Sequence, residues 1–137
     1  MTYELVQNSA ARLIFRKKKH DYITPLLKQL HWLPVQYRTF FKIACLAFKH
    51  FDCSLPPYLS VLLTTYQPSR SLRSASEKLL VPPTFNLKTA GDRSFQFLAP
   101  SVWNSLPSEI RDLSSLSVFK THLKTYLFRK AFPCFDE

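Results

Sequence analysis

The chain has one glycine, Gly91, among 137 residues, against ten prolines. Glycine takes positive φ without a Cβ clash, so tight hairpins and phosphate-cradling loops draw on it heavily. A P-loop and a dinucleotide-binding fingerprint each need several glycines where the backbone approaches a phosphate. Neither fits here. A glycine-poor, proline-punctuated chain favours helices that begin and end at prolines. Twelve Phe, six Tyr and two Trp can fill a core, and a chain of this length buries roughly two thirds of its unfolded surface. The expectation is a mostly α fold, a single small helical domain over residues 1–137, with room for a short β-hairpin around residues 78–89.

Apolar spacing places the elements. Leu5, Val6, Ala10, Leu13 and Ile14 make a helical stripe over residues 3–16. Thr24-Pro25 reads as N-cap and first helical position of a short helix to Leu30, ended by His31-Trp32-Leu33-Pro34. In residues 35–51, Phe40, Phe41, Ala44, Ala47, Phe48 and Phe51 share one broad face, and Arg38, Lys42, Cys45 and Lys49 share another. Leu55-Pro56-Pro57 stops that pattern, and Tyr58 to Leu63 suits one more short helix. The Ser-rich stretch Gln67 to Ser76 reads as a loop. Leu79-Leu80-Val81 and Phe85-Asn86-Leu87 flank Pro82-Pro83 and read as two short strands, the arms of that hairpin, or as extended segments, and the prolines confine any such strand to an edge. Phe95, Leu98, Val102 and Trp103 mark a helix in residues 91–106 that Pro100 should kink or divide. Pro107 starts a brief helix to Leu113. Ser114 or Ser115 caps the last, whose apolar positions are Leu116, Phe119, Leu123, Tyr126 and Leu127.

Catalytic chemistry finds little to work with. A nucleophile elbow needs glycine on both sides of its serine. Two-metal chemistry needs clustered carboxylates, and the nine acids are scattered, with Glu109 and Asp112 alone at helical spacing, where capping and surface charge explain them. Cys45, His50, Cys53 and a distant Cys134 could be drawn as a zinc set, but there is no CxxC, and a helix thiol and a turn thiol account for Cys45 and Cys53. Three cysteines do not make a secreted disulfide framework. No enzyme activity, cofactor or metal is expected.

Charge is the stronger signal. The chain carries 19 Lys+Arg against 9 Asp+Glu, a formal +10, which points to polyanionic partners: nucleic acid first, then acidic membranes or acidic proteins. Arg16, Lys17, Lys18 and Lys19 form an unbroken run that reads as a phosphate-binding patch, a nuclear localisation signal or a solvated helix end. Arg38, Lys42 and Lys49 make a basic stripe, and Arg70 and Arg73 sit in the Ser-rich loop. These nine are the candidate nucleic-acid-binding residues, contacting phosphate without reading sequence. His31-Trp32 and Trp103-Asn104 are aromatic anchors. Trp can stack on unpaired bases, but their apolar neighbours favour the core.

The last third carries a further pattern. Gly91-Asp92-Arg93-Ser94-Phe95 is followed by Ala99-Pro100-Ser101-Val102-Trp103-Asn104-Ser105-Leu106-Pro107, then Ser115-Leu116, Phe119-Lys120, Leu123-Lys124 and Tyr126-Leu127-Phe128. This resembles the C-terminal tail of reverse transcriptases of non-LTR, LINE-type (jockey-like) retrotransposons, which follows GxRSFxxxAPxxWNSLPxxIRxxxSLxxFKxxLKxYLF. Leu5 to Leu13, Ile23 to Val35 and Pro68 to Arg73 agree with it, so the resemblance spans nearly the whole chain. It departs at Cys53 to Leu59, where that family usually has Gly and Ala before Pro.

The resemblance implies a region beyond the polymerase thumb, without the catalytic palm and its paired aspartates; this chain has no Asp-Asp pair. The expected function is a non-catalytic, basic nucleic-acid-binding fragment of a retrotransposon-derived reverse transcriptase. The alternative is a protein-interaction or packing element, or an unselected remnant of a truncated retroelement. Expected partners are the RNA or DNA phosphate backbone and the upstream reverse-transcriptase domains of related elements, with no membrane partner. Without a signal peptide or a spanning segment the expected location is intracellular, nuclear or cytoplasmic.

Overall fold

The computed structural model describes residues 2–70, 77–84 and 94–133. The fold is mostly α, as expected. Seven helices occur among the described residues: α1 Thr2–Ile14, α2 Thr24–Gln29, α3 Val35–Phe51, α4 Pro57–Ser60, α5 Phe95–Asn104, α6 Ser108–Arg111 and α7 Leu116–Ala131. The chain divides into two compact units, the first from residues 1–41 and 123–137 and the second from residues 42–122.

Proline starts helices as its chemistry suggests. Pro56 and Pro107 precede α4 and α6 with extended ψ of 141° and 145°, and each carbonyl accepts two amide bonds from the first turn. Ser115 rather than Ser114 precedes α7, its carbonyl accepting from the Phe119 amide at 2.8 Å. Thr24 does not cap α2. It is the first helical residue, and Ile23, itself helical in φ and ψ, holds the cap position without a side-chain bond. Pro100 does not divide α5. The helix runs through it, and its ring is fully buried.

With glycine this scarce, helix ends need another solution. Among the described residues, three that are not glycine take positive φ: Arg16 at 51°, His31 at 52° and Cys53 at 55°. Each follows a helix and sits in the same double bond. The Arg16 and Lys17 amides reach the carbonyls of Leu13 and Arg12, those of His31 and Trp32 reach Lys28 and Leu27, and those of Cys53 and Ser54 reach His50 and Lys49. These are Schellman ends of α1, α2 and α3, normally closed by glycine. A side chain in this conformation costs roughly 1–2 kcal/mol. The departure from the resembled pattern at Cys53 therefore opens on a strained residue.

The first unit is centred on Ala11, Leu26, Leu27 and Phe132, with Phe15, Ile23, Leu30, Trp32, Phe128 and Ala131 packed around them. The buried Gln7 donates from Nε2 to the Leu33 carbonyl at 2.8 Å, tying α1 to the chain that leaves α2. Trp32 packs here, as the core reading expects.

The second unit is built on an aromatic column. Phe48 stacks on Phe119 at 4.5 Å, Phe119 tilts against Trp103 at 5.8 Å, and Trp103 stacks on Phe51 at 5.2 Å. Such pairs add roughly 0.5–1.5 kcal/mol each beyond the area they bury.

Beside this column runs an extended segment, Glu77 to Val81. Leu80 makes an isolated antiparallel bridge to Thr65, with Tyr66 donating to the Leu79 carbonyl and Val81 to the Thr64 carbonyl, both at 2.8 Å. That pairing uses one edge. On the other edge the Asn104 side chain takes the place of a strand: Oδ1 accepts from the Leu80 amide at 3.0 Å and Nδ2 donates to the Leu80 carbonyl at 2.8 Å. The expected pairing partner of Leu79–Val81 was Phe85–Leu87. The pairing found is with Thr64–Tyr66, and Phe85–Leu87 lies outside the described residues.

Two expectations follow. Replacing Cys53 by glycine relieves the positive-φ strain and raises stability by about 1 kcal/mol, or Tm by roughly 3 °C, in a calorimetric scan. Replacing Asn104 by alanine strips both Leu80 backbone groups of their partner and lowers stability by about 2 kcal/mol in urea unfolding.

Candidate nucleic-acid interface

Arg16, Lys17, Lys18 and Lys19 are all exposed and lie in the turn that closes α1. Their backbone is held from both sides. The Schellman bonds fix Arg16 and Lys17, and the Lys18 amide donates to Asp21 Oδ2 at 2.7 Å. Arg12 braces the same turn, its Nε and Nη2 donating to the Asp21 carbonyl at 3.4 and 3.3 Å. Four cations thus project from a fixed turn that Asp21, engaged with backbone, only partly offsets.

The helical stripe divides. Arg38 is exposed and belongs to the first unit, while Lys42, exposed, and Lys49, half-buried, belong to the second. Cys45, which the spacing placed on the same polar face, is buried instead. Its thiol pKa is raised by burial, and the charges of Lys120 and Lys49 pull it back only in part. Arg70 is exposed, and Arg73 lies outside the described residues.

Spacing alone did not single out Lys120. Exposed on α7, it acts with Lys49 on the Cys45 thiol, so cations from two helices of the second unit share one neighbourhood. The signal was available: Lys120 and Lys124 lie off the apolar stripe of α7, four residues apart, and both are exposed.

The other candidates have structural tasks. Trp103 is fully buried and donates from Nε1 to the Lys78 carbonyl at 2.7 Å, so it offers no face for a base. Arg111, the most buried cation among the described residues, is spent on the framework. Its Nε donates to the Leu106 carbonyl at 3.1 Å, its Nη1 to the Lys78 carbonyl at 3.2 Å, and its Nη2 meets Glu77 at 3.4 Å. A shallow hollow of about 50 Å³ beside Trp103 and Arg111 is lined also by Phe48, Phe51, Asp52, Lys78 and Ser114. It is small, and one of its two cations, Arg111, is already paired with Glu77.

His50 bridges two hydroxyls, with Nδ1 at 3.1 Å from Ser60 Oγ and Nε2 at 3.3 Å from Thr65 Oγ1. Burial lowers its pKa. The folded state therefore favours neutral His50, a contribution complete above the ordinary histidine range and lost as pH falls from that range through the lowered value of the folded state. Both ring nitrogens of His50 thus meet hydroxyls rather than a carboxylate, and no three His, Cys, Asp or Glu of the described residues are placed to hold a metal ion. No helix of the described residues is long and apolar enough to cross a membrane.

Comparison with protein-family models, with curated proteins and with solved structures finds no match. The functional reading therefore stands on the chemistry of the surface.

The two described cysteines differ enough to check this geometry. With Cys134 replaced by serine, a maleimide probe at neutral pH should label exposed Cys53 promptly and leave buried Cys45 unmodified until denaturant is added. Two labels on the native chain would contradict the burial of α3 at Cys45.

Proposed function

We propose that the chain is a non-catalytic nucleic-acid-binding element that grips the phosphate backbone of RNA or DNA. On its resemblance it is a reverse-transcriptase tail of retrotransposon origin that works beside upstream polymerase domains. The observation that carries the reading is the turn at Arg16–Lys19, where four consecutive exposed cations stand on a backbone held by the Schellman bonds and Asp21.

A positioned cation cluster suits phosphate better than a floppy one, because less rotational freedom is lost on binding. Each phosphate neutralised releases condensed counterions, so binding driven this way weakens steeply with salt. The excess of +10 supplies a long-range field that draws a polyanion towards the surface. The aromatic anchors are used up in packing: Trp103 is sealed and Trp32 is half-buried. That leaves phosphate contact without base stacking, which predicts little sequence preference.

The test is fluorescence anisotropy of a labelled RNA hairpin and a DNA duplex over a series of salt concentrations. The expected result is binding whose log K falls linearly with log salt, at about 0.9 per phosphate on duplex DNA. Reversing the charge at Lys17, Lys18 and Lys19 should weaken both ligands together and flatten the slope by about 2–3. An unchanged affinity removes the turn from the interface, and no binding at low salt overturns the proposal.

A further inference from the structure

Helix α1 is poorly covered. Only Gln7 and Ala11 of its thirteen residues are buried. Tyr3, Val6, Leu13 and Ile14 are 79, 65, 80 and 54 % exposed, and they fall with half-buried Ala10 on one side of the helix. Leu5, 67 % exposed, lies on the flank beyond Ser9. At 100° per residue the first five side chains span about 100°, and with Leu5, across polar Ser9, the arc reaches roughly half of the circumference. Exposed apolar surface of this extent on one short helix marks an interaction site.

What covers it is decided by its neighbours. The stripe runs directly into Arg16–Lys19, all exposed, and Tyr22 follows at 84 % exposure. We propose that α1 lies in the surface of an anionic lipid bilayer, with Tyr3, Val6, Leu13 and Ile14 among the upper acyl chains and Arg16–Lys19 at the headgroups.

Three observations favour lipid over other occupants. A second copy would bring another +10 chain against the first. The phosphate backbone of a nucleic acid matches the cations but offers no apolar surface for Leu13. A partner helix seated as in a coiled coil covers a narrow seam, whereas the exposed arc of α1 is wide. A bilayer interface wraps half a helix, supplies negative charge at its rim, and suits tyrosine at the boundary. The expectation of no membrane partner rested on the lack of a spanning segment, and a helix that lies on a surface needs none. The inference shares Arg16–Lys19 with the proposed nucleic-acid contact, so the two ligands should compete.

The experiment is vesicle co-sedimentation of the full chain, with phosphatidylcholine alone and with phosphatidylcholine mixed with phosphatidylserine. Binding is expected only with phosphatidylserine present. The pair Val6→Ser and Leu13→Ser leaves every charge in place and should weaken vesicle binding at least about tenfold. Its affinity for the RNA hairpin should not change. In Tyr3→Trp the tryptophan emission should move to the blue on phosphatidylserine vesicles, which reports insertion independently of the serine pair. Unaltered vesicle binding by that pair, or no emission shift, would reduce the effect to Coulomb attraction and overturn the inference. So would a dimer of the wild-type chain that the serine pair dissolves, since the stripe would then be a protein interface. A wild-type chain that binds phosphatidylserine vesicles but not the RNA hairpin would sink the nucleic-acid reading alone.

Discussion

The second unit depends on three side chains holding one extended segment. Trp103 and Arg111 both donate to the Lys78 carbonyl, Asn104 closes both backbone groups of Leu80, and Arg111 reaches Glu77. A buried backbone group left unpaired costs about 1–3 kcal/mol. In a sheet a neighbouring strand removes that cost. Here Thr64–Tyr66 supplies one edge and helix side chains supply the other. Leu80 is then free to sit 1 % exposed in the core, beside a Trp that could not be buried without an acceptor for its N–H. The stretch Ala99 to Pro107, which carries the resemblance, is therefore a packing device. Ala99, Pro100, Trp103 and Leu106 are its buried side and Asn104 its strand mimic.

The helix ends work against this gain. Among the described residues, three with side chains occupy positions that favour glycine. At roughly 1–2 kcal/mol each, the strain is comparable to the contribution of the aromatic contacts that hold the second unit. The hydrogen bonds of each Schellman end and, after α2, the packing of Trp32 and Leu27 in one cluster offset it. The same geometry at Arg16 turns the chain sharply at the end of α1 and sets the cation run on a fixed turn.

The surface of the first unit combines an apolar arc on α1 with a dense cation run at its end. A phosphate backbone answers the second and an anionic lipid surface answers both, so the two proposals differ in whether the arc takes part. The balance is open to measurement because the apolar and charged residues do not overlap in sequence.

How much of this was legible in the sequence follows from range. Helix positions came from apolar spacing and proline, both local. Phe119, Leu123 and Leu127 are buried on α7 as their spacing requires, and Lys120, Lys124, Arg129 and Lys130 are exposed. The exposure of Arg16–Lys19 was equally legible, because four adjacent charges cannot all be buried. Three things required the tertiary structure. Leu79–Val81 reads as a strand, but its partners lie at Thr64–Tyr66 and Asn104, a long-range choice that local pattern does not encode. Cys45 shares the helical register of Arg38, Lys42 and Lys49, yet packing buries it, since register gives an angle and not a neighbour. The stripe of α1 has the spacing of a core-facing helix, and only the folded chain shows that Gln7 and Ala11 face inward while Val6 and Leu13 face out. Sequence by itself determined the elements and the charge, because both depend on residues close in the chain. Tertiary structure decided which apolar faces were covered, because burial depends on what the rest of the chain brings to them.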